Sequence, residues 1–279
     1  MPKRLLRVLA IRFIRDVFRR YAADQSSVYA GYIAYAAMLA GFPFLIFTIT
    51  LAGAVIGDGY STEAVQLMFE TLPSHVAQTL QPVLQEVIGV DRGGILTISL
   101  LGAIYGASNG VEAVRAGLDR AYDVEKPRNF FLNRLVSIAF VLLGFVIFGS
   151  LAVLIIFAPL VFNLIELLTD LRIPAGTDIA RYAVGAFLLY FMLWLMHRIL
   201  PGREMHRLKL WPGIFTSIAV WVAAASALSI YLAYAPSYAL TYGTLAGVVV
   251  TLLFFYLTGT AIILGAQVNA VVNFGLSEE

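Results

Sequence analysis

Six stretches of this sequence, each about 20 residues or longer, carry almost no charge, and a helix of that length crosses roughly 30 Å of hydrocarbon. They run over Val28–Gly57, Gly94–Val114, Leu135–Phe162, Ile179–Met196, Trp211–Ala235 and Thr244–Val272. The 279 residues are 60% hydrophobic and 13% charged, more apolar surface than a single soluble domain can cover. The predicted fold is therefore all-α, a polytopic integral membrane bundle of six transmembrane helices. No connection is long enough for a separate catalytic or ATP-binding domain. A basic N-terminal segment, 1–27, precedes a six-helix transmembrane domain, 28–275, in which 58–92 is the longest connection.

Charge placement orients the bundle, because short loops rich in Lys and Arg stay in the cytoplasm. All but three of the 19 basic residues lie in the N-terminal segment, the second connection and the fourth. The exceptions, Arg92, Arg172 and Arg181, share the other side with eight acids, from Asp58 to Asp178. Both termini are thus expected in the cytoplasm. Residues 3–21 set Leu6, Leu9, Phe13 and Val17 against Arg4, Arg12, Arg15 and Arg19, the pattern of an interfacial helix attracted to anionic phospholipid at the cytoplasmic face. Within 58–92, Ser61 or Thr62 and then Ser74 are positioned to cap two amphipathic helices on the opposite side.

Several function classes are excluded at this stage. Without cysteine there is no disulfide scaffold, thiolate zinc site or cysteine nucleophile. His75, His197 and His206 have no metal-ligand spacing, no serine sits in a nucleophile elbow, and no phosphate-binding loop is present. A net charge of +2 carries no specific nucleic-acid signature. No catalytic residue, cofactor or metal is predicted.

Inside lipid, helices are held together by close backbone approach and polar contacts. Gly102, Gly106 and Gly110 recur every four residues and predict a contact face, to which Asn109 is placed to donate a hydrogen bond. Gly247, Thr251, Thr258, Gly265 and Asn269 form a second small or polar stripe. Such faces suit a compact bundle or a homo-oligomer. Pro43 is expected to kink or interrupt the long first span.

An ionisable group within the apolar slab is the natural candidate for a transport or gating site, and Glu112 lies just inside it at the cytoplasmic end of the second span. Glu112, Arg115 and Asp119 fall on one helical stripe, an acid, base, acid ladder able to pair internally or to receive an anionic head group through Arg115. Gln267, Asn269 and Asn273 on the last span, with His197 and Arg198 on the fourth, lie at a similar depth. Convergence of these groups would make a hydrated cytoplasmic vestibule. The sites expected from sequence are thus Glu112, Arg115, Asp119, Asn109, Gln267 and Asn269.

Three blocks resemble the YihY/BrkB family of bacterial inner-membrane proteins, formerly labelled ribonuclease BN. They are Tyr32-Ile-Ala-Tyr-Ala-Ala-Met-Leu-Ala-Gly-Phe-Pro43, then Gly117-Leu-Asp-Arg-Ala-Tyr-Asp-Val-Glu125 with Arg128 and Arg134, and a C-terminal set. The last comprises Arg198-Ile-Leu-Pro201, Trp211, Tyr234-Ala-Pro-Ser-Tyr-Ala-Leu-Thr-Tyr-Gly243 and Leu264-Gly-Ala-Gln-Val-Asn269. The resemblance implies a six-helix inner-membrane protein and a role in moving lipids, glycolipids or small solutes. It supplies no substrate. The family often has Glu where this chain has Gln267, so a carboxylate site there does not carry over. The expected function is a translocase of amphipathic cargo, with small-solute export or an envelope scaffold as alternatives and ribonuclease activity disfavoured.

Overall fold

The computed structural model describes residues 3–56, 92–125, 128–152, 176–202, 205, 207–234 and 246–275. Among these residues there are seven helices and no strand: α1 Lys3–Ala23, α2 Ser26–Ile56, α3 Arg92–Ala121, α4 Phe130–Ala152, α5 Gly176–Ile199, α6 Trp211–Tyr234 and α7 Ala246–Phe274. Four contain stretches long and apolar enough to cross a membrane: Phe130–Ile147, Tyr182–Ile199, Trp211–Leu232 and Gly247–Phe274. The first two predicted spans fall on α2 and α3. The predicted connection 58–92 lies outside the described residues apart from Arg92, which opens α3.

Local chemistry sets the helix ends. Asn129 caps α4 by accepting the Phe131 N–H at 3.2 Å, so this helix starts five residues before the apolar run expected at Leu135. α3 outlasts its apolar part and ends at Ala121 in a Schellman turn, in which the Val124 N–H reaches the Asp119 carbonyl at 2.9 Å. The left-handed residue of that turn is Asp123, with φ 53°. Gly275, with φ 71°, closes α7 in the usual way.

The buried residues gather at one end of the bundle. Ala113, Leu118, Tyr122, Leu200, Ile214, Ile263, Ala266 and Ala270 are sealed there, at the ends of α3, α5 and α7 and the start of α6. α2 packs chiefly on α3 and α7, and α6 on α7, while α4 and α5 attach more lightly.

The glycines explain the close contacts. A Cβ at Gly106 would lie 3.0 Å from Ala40 of α2, and one at Gly102 would lie 3.4 Å from Pro43. Gly110, expected on the same face, has nothing within 4 Å. Positions four residues apart advance by 40° at 3.6 residues per turn, so by Gly110 the stripe has rotated away from α2. Gly213 of α6 and Gly265 of α7 pack backbone to backbone: a Cβ on Gly265 would overlap Ser217 and the Gly213 carbonyl. Gly247 is buried on α7. Helix α2 runs through Pro43 without interruption, although the missing N–H deprives the Leu39 carbonyl of its usual partner.

α1 differs from the two-faced helix expected from sequence. Ile11, Ile14 and Phe18 form an exposed apolar side and Arg12, Arg15 and Arg19 an exposed basic side. A third side, Asp16, Val17, Arg20 and Asp24, is buried in a helix that packs on α7.

Candidate functional site

The continuation of α3 to Ala121 brings Glu112, Arg115 and Asp119 onto one stripe. Arg115 donates through Nη2 to the Glu112 carboxylate and through Nη1 to Asp119 Oδ2 at 3.3 Å. Neighbouring elements complete the ladder: Ser137 Oγ of α4 donates to Glu112 Oε1 at 2.6 Å, and the Gly202 N–H, just past α5, donates to Asp119 Oδ1 at 2.7 Å. The three ladder side chains remain 15–20% exposed. With both Nη groups engaged by carboxylates and Nε buried, Arg115 has no open fork for a head group. Desolvation by burial holds the Asp119 carboxyl above its ordinary pKa, against the pull of the Gly202 N–H and of Arg115 and Arg128.

Among the described residues, the contact made by Asn109 runs to α4 rather than to α2. Its Oδ1 accepts from Arg134 Nη1 of α4 at 2.8 Å. The long guanidinium reaches across the α3–α4 seam to it and also lies over the Tyr105 ring, 4.8 Å from the centroid.

The two α7 residues serve a different layer. Gln267 Nε2 donates to Asp24 Oδ2 at 2.8 Å and to Ser26 Oγ at 3.3 Å, while its Oε1 accepts from Arg20 Nε at 3.4 Å. Arg20 also pairs with Asp123 at 2.6 Å, and Arg120 with Asp24 at 3.3 Å. A neutral amide is thus placed inside a ring of two arginines and two aspartates. Asn269 Oδ1 accepts the Gly213 N–H at 2.7 Å, satisfying a first-turn donor of α6 that has no partner within its own helix. Its Nδ2 donates to the Tyr122 hydroxyl at 3.2 Å, which lies 2.8 Å from His197 Nδ1. One turn further, Asn273 clasps the backbone of Lys209, accepting its N–H at 2.8 Å and donating to its carbonyl at 2.9 Å.

The six expected residues therefore fall into two groups rather than lining one wet vestibule. Gln267, Asn269 and His197 are completely buried, the two amides being spent on joining elements of the bundle, while Asn109 and the ladder retain some exposure.

A model of the family described as virulence factor BrkB matches residues 17–277. The chain belongs to the BrkB family. It is 29% identical over 266 residues to the putative ribonuclease-like protein YfkH of Bacillus subtilis, covering 94% of this chain and 95% of that one. It is 24% identical over 257 residues to the UPF0761 membrane protein PSHAa0171 of Pseudoalteromonas translucida, covering 90% and 82% respectively. A UPF0761 membrane protein of Coxiella burnetii is 24% identical over 275 residues, covering 94% of each chain. No solved structure matches the sequence. The chain is a membrane protein, and both polar groups lie within the matched part of this BrkB-family chain.

Sequence reasoning did not single out Asp16, Arg20, Asp24, Tyr122 or Asp123 as parts of a site. Asp16, Arg20 and Asp24 recur every four residues, the same ladder logic that singled out Glu112, and the signal was masked by treating every N-terminal arginine as an orientation charge. The Tyr122–His197 contact joins residues 75 positions apart, for which a single sequence carries no signal.

Proposed function

We propose that this BrkB-family chain is an inner-membrane protein of six spans with both termini in the cytoplasm, and that it moves a lipid, glycolipid or other amphipathic cargo across the bilayer. α2 with 31 residues and α3 with 30 are each about 45 Å long at 1.5 Å per residue, enough for them to join the four span-length helices. The basic residues of α1, of the α3–α4 connection and of the α5–α6 connection then share the cytoplasmic side.

The observation that carries the reading is how the bundle closes at that side. Arg115 stands between Glu112 and Asp119 with all three side chains partly exposed, so these ion pairs can exchange for water without repacking an apolar core. A movable inner gate requires that property. The partly exposed ladder also favours a second reading, export of a small polar solute. A non-transporting scaffold draws on the glycine contacts, which hold α2 to α3 and α6 to α7 whether or not any cargo moves.

We propose no nuclease activity, although one relative's printed name is ribonuclease-like. Glu112 and Asp119 are bound to Arg115, and Asp123 to Arg20, so these acids are committed to cations rather than poised as acid and base. Cleavage of RNA by the purified protein, lost on Asp119→Asn or Asp123→Asn, would overturn this.

The deciding experiment is reconstitution in proteoliposomes holding a fluorescent lipid in the inner leaflet. The expected result is lipid exposure well above that of protein-free vesicles, reduced by Arg115→Ala. Rates equal to empty vesicles together with efflux of an entrapped osmolyte would support the solute reading, and neither movement would support the scaffold.

A further inference from the structure

The arginines on this side of the bundle divide by the partners they have. Arg15, Arg20, Arg115 and Arg120 each lie within ion-pair distance of a carboxylate. Arg134 does not: among the described residues its contacts are the Asn109 amide oxygen at 2.8 Å and the face of Tyr105. Both orient a guanidinium and neither cancels its charge. Arg134 lies inside the span-length stretch Phe130–Ile147, where an uncompensated cation is expensive. The same end of the bundle carries Arg198, over Trp194 at 5.1 Å, and Arg128, which donates to the Ile199 carbonyl at 2.8 Å and also acts on the Asp119 carboxylate.

We propose that Arg134, seated by Asn109 and Tyr105 on the α3–α4 seam, binds the phosphate of an anionic phospholipid from the cytoplasmic leaflet. This rests on the orientation given under the proposed function, not on cargo movement. A phosphodiester offers the guanidinium two acceptor oxygens in the geometry its fork prefers. A lipid with net negative charge cancels the charge of Arg134, whereas a zwitterionic lipid brings its own ammonium and leaves the sum unchanged. The surroundings select a lipid over a free anion: Phe131 is 79% and Leu135 65% exposed beside Arg134 on α4, and Tyr105 is 65% exposed across the seam. These side chains offer apolar surface to acyl chains and nothing to inorganic phosphate. The ladder Arg115, by contrast, is already occupied by two carboxylates.

The test is equilibrium binding to the full-length, delipidated protein in detergent, read by native mass spectrometry with phosphatidylglycerol, phosphatidylcholine and inorganic phosphate as separate probes. Wild type is expected to retain phosphatidylglycerol preferentially. Arg134→Gln should weaken that binding at least about tenfold, since even one charge-assisted hydrogen bond is worth that much, and leave phosphatidylcholine unchanged. Arg134→Lys keeps the charge, preserves the fold if Gln does not, and should still weaken binding because the fork is gone. Arg207→Gln, an exposed cation elsewhere, controls for net charge and should have no effect.

Unaltered phosphatidylglycerol binding in both Arg134 variants overturns the proposal. So does an equal loss in Arg207→Gln, which would mean general charge attraction, and so does displacement of the lipid by inorganic phosphate, which would mean a solute anion site. Binding at Arg134 in a protein that moves no lipid would refute the transport reading and leave this site standing.

Discussion

The α7 layer and the α3 ladder use the same kinds of side chain for opposite ends. Around Gln267 and Asn269 the amides are completely buried and their contacts run to other helices, so polar groups act as fasteners in a medium where apolar surface provides no drive to associate. Around Glu112, Arg115 and Asp119 the side chains keep some exposure, one cation stands between two acids, and the Asp119 carboxyl is held above its ordinary pKa. Burial, rather than residue type, separates a joint from a candidate gate.

The contrast predicts which substitutions remove the protein and which remove only its action. The largest effect belongs to Gly265→Leu. Its side chain has no space beside Gly213 and Ser217, so folded protein in the membrane should fall to near zero by size-exclusion profile; a normal profile would show that the α6–α7 approach is dispensable. Asn269→Leu comes next, because it strands the buried Gly213 N–H and removes a partner of the Tyr122 hydroxyl. The expected loss is about 2–4 kcal/mol, seen as a lowered Tm in detergent.

Glu112→Gln should do the reverse. Its amide still accepts from Ser137, so Tm should move little, while lipid movement in proteoliposomes falls several-fold. Equal losses of Tm and of movement would place the ladder among the fasteners.

The smallest effect is a pH dependence. Because the folded state holds the Asp119 proton more tightly than the unfolded chain does, this group adds stability as pH falls through its raised pKa, and the gain levels off below the ordinary carboxylate value of 3.8. Asp119→Asn should flatten that part of the Tm against pH curve. An unchanged curve would assign the dependence to another acid.

Much of this architecture follows from runs and spacings. Span-length apolar stretches placed α2 to α7, and the 4 and 7 residue spacings on α7 put Thr258, Gly265 and Asn269 on the side that meets α6, where Trp221 Nε1 donates to Thr258 Oγ1 at 3.1 Å. The Glu112, Arg115, Asp119 spacing likewise gave the pairs within one helix. What escaped were contacts decided by how helices cross. Asn109 is claimed by an arginine from another helix, Gly110 rotates out of its seam, and Gln267 meets residues more than 240 positions away. Periodicity within a helix fixes angles around one axis and carries nothing about which neighbour stands at each angle.

The left-handed turn at Asp123 has one more consequence. An aspartate there is conformationally costly where glycine would be free, and the carboxylate that justifies it is held by Arg20 on the first helix. Arg20 also donates to the Ala121 carbonyl at 3.4 Å, so the N-terminal helix and the exit from α3 are clasped through one guanidinium. A pull that peels the leading helix away from its berth also removes the cation that holds this bend, so a disturbance of α1 at the membrane surface has a mechanical route to the end of α3.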